Sequence, residues 1–124
     1  ESECAGGTGI YRNRPTGLER IPLQPTPEIL ELAAKHGHAP ETLATPEGYT
    51  AFQDDVVFKP SYAADGNDYI NAGNDSWELL YLIEMKFNRL VIFDGRMPHS
   101  QHIAGDQFCD TFRLNQMVYL EPKA

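Results

Sequence analysis

The chain has 124 residues, room for one domain and not two. Its 41% hydrophobic and 10% aromatic content excludes a disordered polymer. The formal charge of −8 is spread evenly, with 5 basic and 9 acidic side chains in each of residues 1–62 and 63–124, which speaks against a nucleic-acid stripe or a polybasic membrane face.

The longest apolar run, Leu79–Ile83, is too short to span a bilayer. Glu1, Ser2 and Glu3 do not resemble a secretory leader. With only Cys4 and Cys109 in the chain, two reduced thiols of a cytoplasmic protein are expected. The chain also starts without methionine, in what reads as a polar turn.

In chain order, Gly6-Gly7 leads into a β-prone run at Thr8–Arg12. Residues 13–27 hold Pro15, Pro22, Pro25 and Pro27 and read as an extended connection. A helix follows with clear punctuation. Thr26 caps it, Pro27 suits its first position, Glu28 complements the dipole, and Gly37 ends it. Ile29, Leu32, Ala33 and His36 fall on one face. Thr45-Pro46 opens a second short helix through Phe52, and Val56–Phe58 reads as a strand. Residues 61–75, rich in Asn, Asp, Gly and Ala, read as a surface loop.

From Trp77 to Phe87 every odd position is apolar, while Glu78, Glu84 and Lys86 take even ones. That period of two predicts a strand with one buried face. Leu90–Phe93 predicts a continuous apolar strand, and the turn at 94–98 delivers His99. Ser100–Asp110 reads as a polar loop and Thr111–Leu120 as a last strand. The sum is a mainly β architecture with an inserted helical segment at residues 13–75.

Two positions stand out chemically. Arg113 lies within the last strand, on the face shared by Asn115, Met117 and Tyr119. A buried guanidinium there needs a partner, and its planar fork suits a carboxylate. His99 stands at a strand end, where a rigid backbone fixes an imidazole for metal binding. His102 lies three residues on, and His36 and His38 read as structural because no finger-like partner set accompanies them. Gly6-Gly7-Thr8-Gly9 lacks the residues of a phosphate loop. Cys109 near His99 or His102 is the nearest approach to a nucleophile with a base.

Three stretches in order, "GGTGIY" at Gly6–Tyr11, "FNRLVIFDGRMPHS" at Phe87–Ser100 and "RLNQMVYL" at Arg113–Leu120, resemble the iron(II)- and 2-oxoglutarate-dependent oxygenases. The similarity is to the C-terminal part of their double-stranded β-helix, nearest the prolyl-4-hydroxylase-like branch. The resemblance implies a partial jelly-roll or cupin-like fold, with His99 as an iron ligand. It makes Arg113 the anchor of the distal 2-oxoglutarate carboxylate, with Asn115 and Tyr119 beside it. Gly6, Gly7 and Thr8 match a structural turn only. The implied activity is oxidative decarboxylation of 2-oxoglutarate coupled to hydroxylation of a small-molecule or amino-acid substrate. The apolar face at Leu79–Phe87 would then wall reactive iron species from water.

One departure shapes this reading. Such enzymes bind iron through two histidines and a carboxylate, and no His-x-Asp or His-x-Glu occurs in this chain. The expectation is therefore a C-terminal portion of a longer oxygenase, inactive alone. Two other readings remain open: a cupin-like binding module without iron, or a local metal site in which Asp94, Asp106 or Asp110 joins His99 and His102. A strand-deficient sheet with an apolar edge also invites pairing with a second copy.

Overall fold

A computed structural model describes residues 6–59, 70, 74–103, 117, 118 and 120. They form a three-stranded antiparallel sheet with helices on one side, a mixed α/β arrangement. Strand β1 (Gly7–Asn13) lies between β2 (Trp77–Glu84) and β3 (His99–His102), in the order β2-β1-β3. The segment between β1 and β2 carries helix α1 (Pro27–Lys35), a 3-10 turn at Pro40–Ala44, helix α2 (Pro46–Phe52) and a π-helical stretch at Gln53–Phe58.

Local chemistry sets both helix starts. The Thr26 hydroxyl accepts from Ile29 N at 3.4 Å, and the Thr45 hydroxyl accepts from Gly48 N at 3.1 Å. A proline follows each cap, where its missing N–H costs nothing. The Glu28 carboxyl is held below its ordinary range, first by its own backbone N–H and then by Thr26. Helix α1 ends at His36, whose N–H bonds back to Leu32 and Ala33, with Gly37 at φ +82° beyond it.

The apolar side chains gather in two clusters. Ile29, Ala33, Leu43, Tyr49, Phe52 and Val56 form the helical one. Tyr11, Val57 and Trp77 form the second against the sheet, with Ile21, Phe58, Ile70 and Leu79 around them. Leu18 packs on both. Consecutive residues Val56 and Val57 enter different clusters, so the π-helical stretch joins the helices to the sheet.

The loop expected from Ser100 onward instead begins as strand, with Ser100–His102 paired to Gly7–Gly9 in β3, and three further expectations are corrected. Val56–Phe58 is not a strand: α2 runs on as π-helix, and the Val57 carbonyl accepts from the buried Asn13 amide at 3.4 Å. Leu90–Phe93 is not a strand among the described residues. Asn88 takes φ 55°, and Arg89 bonds back to the carbonyls of Lys86 (3.3 Å) and Glu84 (2.8 Å). The chain thereby turns off the line of β2, and among the described residues no strand pairs with Leu90–Phe93, so its strand propensity alone does not make a strand.

The third correction concerns β2, whose odd positions do not share one face. Ile10 pairs with Tyr81 but Tyr11 with Leu79, so Leu80 is an extra residue at a β-bulge. A one-residue slip exchanges the faces. Trp77 and Leu79 therefore lie with Tyr11 against the helices, while Tyr81 and Ile83 take the opposite face with Ile10 and Thr8. Trp77 is buried and Tyr81 is 66% exposed. No helix among the described residues is long and apolar enough to cross a membrane.

Candidate functional site

His99 opens β3, opposite Ile10 of β1. The turn before it is built by Asp94, whose carboxylate accepts from Arg96 N at 3.0 Å, Arg96 Nε at 2.9 Å and Arg96 Nη2 at 2.6 Å. Arg20 adds an ion pair to the same carboxylate at 2.7 Å. Two backbone bonds fasten this turn to the rest of the molecule, Tyr11 N to Pro98 O and Ile21 N to Arg96 O, each 2.9 Å. The chain therefore reaches His99 on a pinned backbone.

The His99 ring is exposed and stands edge-on to Phe93, with centroids 4.8 Å apart. Its Nδ1 lies 2.8 Å from the Met97 carbonyl oxygen. A carbonyl can only accept, so Nδ1 carries the proton and the neutral ring keeps its lone pair on Nε2. Such a bond from the second ring nitrogen is what orients metal-binding histidines.

His102 does not join it. Residues three apart on a strand lie on opposite faces, and His102 Nδ1 meets the Tyr11 hydroxyl at 3.2 Å on the helix-covered side. Asp94, engaged by two guanidiniums, is not a spare ligand. The local site built from Asp94, His99 and His102 is thus not assembled; among the described residues, no three His, Cys, Asp or Glu side chains gather closely enough to hold a metal. His38 pairs with Asp55 at 3.2 Å and packs edge-on to Phe52, a structural role. Arg113, Asn115, Tyr119, Cys4, Cys109, Asp106 and Asp110 lie outside the described residues.

The Gly-Gly-Thr segment has a steric basis. A Cβ on Gly7 would run into the Ile83 carbonyl of β2, and one on Gly9 would meet the Tyr11 ring, with Cε2 and Cζ at 2.6 Å. Tyr11 lies over Gly9 to reach His102. Burial raises the Tyr11 phenol above its ordinary value of 10.0, and burial likewise raises Tyr49, partly offset by a hydrogen bond from Gln53.

A raised phenol pKa means the folded state keeps its proton longer than the unfolded chain. The stability this provides is whole below 10.0 and falls as pH climbs through the folded value. We expect the urea midpoint to drop across that window, and Tyr11→Phe to flatten the drop while costing about 1 kcal/mol for the His102 bond at neutral pH. An unchanged alkaline slope in Tyr11→Phe would contradict this.

On the helix-covered side a cleft of about 500 Å³ opens between Ile21–Leu23, the π-helical stretch, Trp77 and the 95–99 turn. Gln53, Phe58 and Met97 line it, and no sequence pattern pointed to them. Trp77 reads from sequence only as the start of a strand face, and π-helical geometry has no spacing signature.

Neither a curated protein nor a solved structure matches the chain. Residues 35–112, more than half of the chain and including α2, the cleft-lining π-helical stretch, β2 and β3 with His99, match the model of the family of unknown function DUF6445, and the chain belongs to that family.

Proposed function

We propose that this chain forms the C-terminal part of a non-haem iron(II)/2-oxoglutarate oxygenase domain in which His99 is an iron ligand. The observation carrying this reading is the His99 ring, its Nδ1–H tied to the Met97 carbonyl and its Nε2 lone pair left for a metal. The Gly-Gly-Thr strand lies directly beside it, with Ile10 opposite His99 and Tyr81 opposite Ile10. The wall expected from Leu79–Phe87 narrows to Tyr81 and Ile83, which share His99's face.

His99 fits one position of a two-histidine, one-carboxylate site; the remaining ligands belong to a His-x-Asp segment that this sequence does not contain. Iron(II), when bound, supplies the oxygen-activating chemistry of the group. The chain's own part is to fix the imidazole on a pinned turn and, through Arg113 with Asn115 and Tyr119, to hold the far carboxylate of 2-oxoglutarate. The finer fold in this reading is a partial double-stranded β-helix. Its further strands add at the outer edge of β2, where Tyr81 and Leu82 are exposed. On this reading the chain is cytoplasmic, with Cys4 and Cys109 reduced.

The test is an anaerobic titration with iron(II) and 2-oxoglutarate, on this chain and on this chain joined to a His-x-Asp-bearing segment of its parent. The joined form should develop a visible metal-to-ligand charge-transfer band. His99→Ala should abolish that band, and Arg113→Ala should move it to about tenfold or more higher 2-oxoglutarate. A folded protein without the band would favour a cupin-like binding module, and a band that survives His99→Ala would remove His99 from the site.

A further inference from the structure

We propose that the cleft on the helix-covered side, beside His99, is a binding site for a neutral small molecule that carries a ring and one amide group. His99 stands at its rim, at the end of the 95–99 turn, while the register partners Ile10 and Tyr81 lie on the other face of the sheet. At about 500 Å³ the cleft falls among small-molecule sites, which run roughly 300–1,000 Å³.

Its lining defines the chemistry of the occupant. Ile21, Phe58, Trp77 and Met97 offer apolar and aromatic surface suited to a ring. The charge in the wall is already satisfied: Arg96 is bound to Asp94 through both Nε and Nη2. Arg96 is the only arginine in the described lining and no lysine joins it; the remaining imidazole, His99, sits at the rim, and the chain's net charge of −8 adds general repulsion to an anion.

The polar group is Gln53. Together with Phe58 it bounds the π-helical stretch, and both ends line the cleft. Stretches of π-helix within a helical run often mark functional positions, because the widened turn redirects side chains. The Tyr49 hydroxyl donates to Pro22 O at 2.8 Å and receives the Gln53 amide N–H. That bond holds Gln53 in place without exhausting it, since an amide has two donors and an acceptor oxygen. Gln53 is thus set to pair with a neutral amide and gains nothing from a charge.

The only tryptophan of the chain reports on this cleft. The experiment follows Trp77 emission on the full chain, without iron, as phenylacetamide, phenylacetate or acetamide is added. Phenylacetamide should give a saturable change, phenylacetate should bind about tenfold or more weaker, and acetamide should give none. Gln53→Leu should weaken phenylacetamide about 3- to 10-fold, the range of one lost hydrogen bond.

Leu23→Glu provides an independent check, because Leu23 is 74% exposed at the cleft mouth and its substitution leaves the core intact. It should weaken phenylacetamide and worsen phenylacetate further. A response that does not saturate, equal binding of the amide and the carboxylate, or indifference to both variants would overturn the proposal. Because iron is absent, the result stands apart from the fate of the oxygenase reading.

Discussion

Phe52→Ala is expected to lower the free energy of unfolding by about 3–5 kcal/mol, a large share of the roughly 5–15 kcal/mol that holds a domain together. The Phe52 ring is completely buried, stacked on Tyr49 at 6.2 Å and met edge-on by His38 at 5.5 Å. Ile29, Ala33, Leu43 and Val56 complete its cluster. These neighbours come from α1, the 3-10 turn, α2 and the π-helical stretch, so no single element can move in to fill the hole. The cavity term is then retained in full. Urea denaturation gives the number directly, with Leu23→Ala as an exposed control expected to stay within about 0.5 kcal/mol. A loss below about 1 kcal/mol for Phe52→Ala would mean that the helical cluster is not the core of the molecule.

Gly7→Ala is the second large effect, of about 2–3 kcal/mol or more. The added Cβ would collide with the Ile83 carbonyl oxygen, and would lie 2.8 Å from the Ile83 carbonyl carbon and 3.0 Å from Glu84 Cα. All of these are backbone atoms of the neighbouring strand, so relief requires β1 and β2 to separate. Gly9→Ala gives a useful contrast, because there the obstacle is the far end of the Tyr11 side chain. That ring can shift, at the cost of its His102 bond, so Gly9→Ala should destabilise less than Gly7→Ala. Equal effects, or the reverse order, would show that β1 and β2 do not pair in the register described.

The part of the fold that was legible in sequence is the part fixed by neighbouring residues. Thr26-Pro27-Glu28 and Thr45-Pro46 announce helix starts because a side-chain acceptor within three residues satisfies the free N–H groups. Thr8–Arg12 and the start of the Trp77 run read as strands for the same local reason, the alternation and β-branching of their side chains. His99, too, could be singled out, since a Gly/Pro turn followed by a histidine is visible along the chain.

What was not legible depends on contacts distant in sequence. The bulge at Leu80 turns half of an unbroken apolar alternation to the other face, and only the pairing with β1 reveals it. Leu90–Phe93 has the composition of a strand, but the turn at Asn88 and Arg89 carries it off the line of β2. Val56–Phe58 looked like a strand because two valines and a phenylalanine favour one. The buried Asn13 amide and the two apolar clusters on either side of Val56 and Val57 hold it as π-helix instead.

The sequence by itself determined where the helices begin, that a glycine pair leads into a strand, and that His99 follows a turn. Each of these rests on interactions spanning a few residues. Tertiary structure alone decided the rest. It placed His99 and His102 on opposite faces, committed Asp94 to two arginines, and brought Gln53, Phe58 and Trp77 around one cleft. The physical reason is that strand register and packing assign each side chain to a face, and a single bulge or a single long-range hydrogen bond can reverse what local pattern implies.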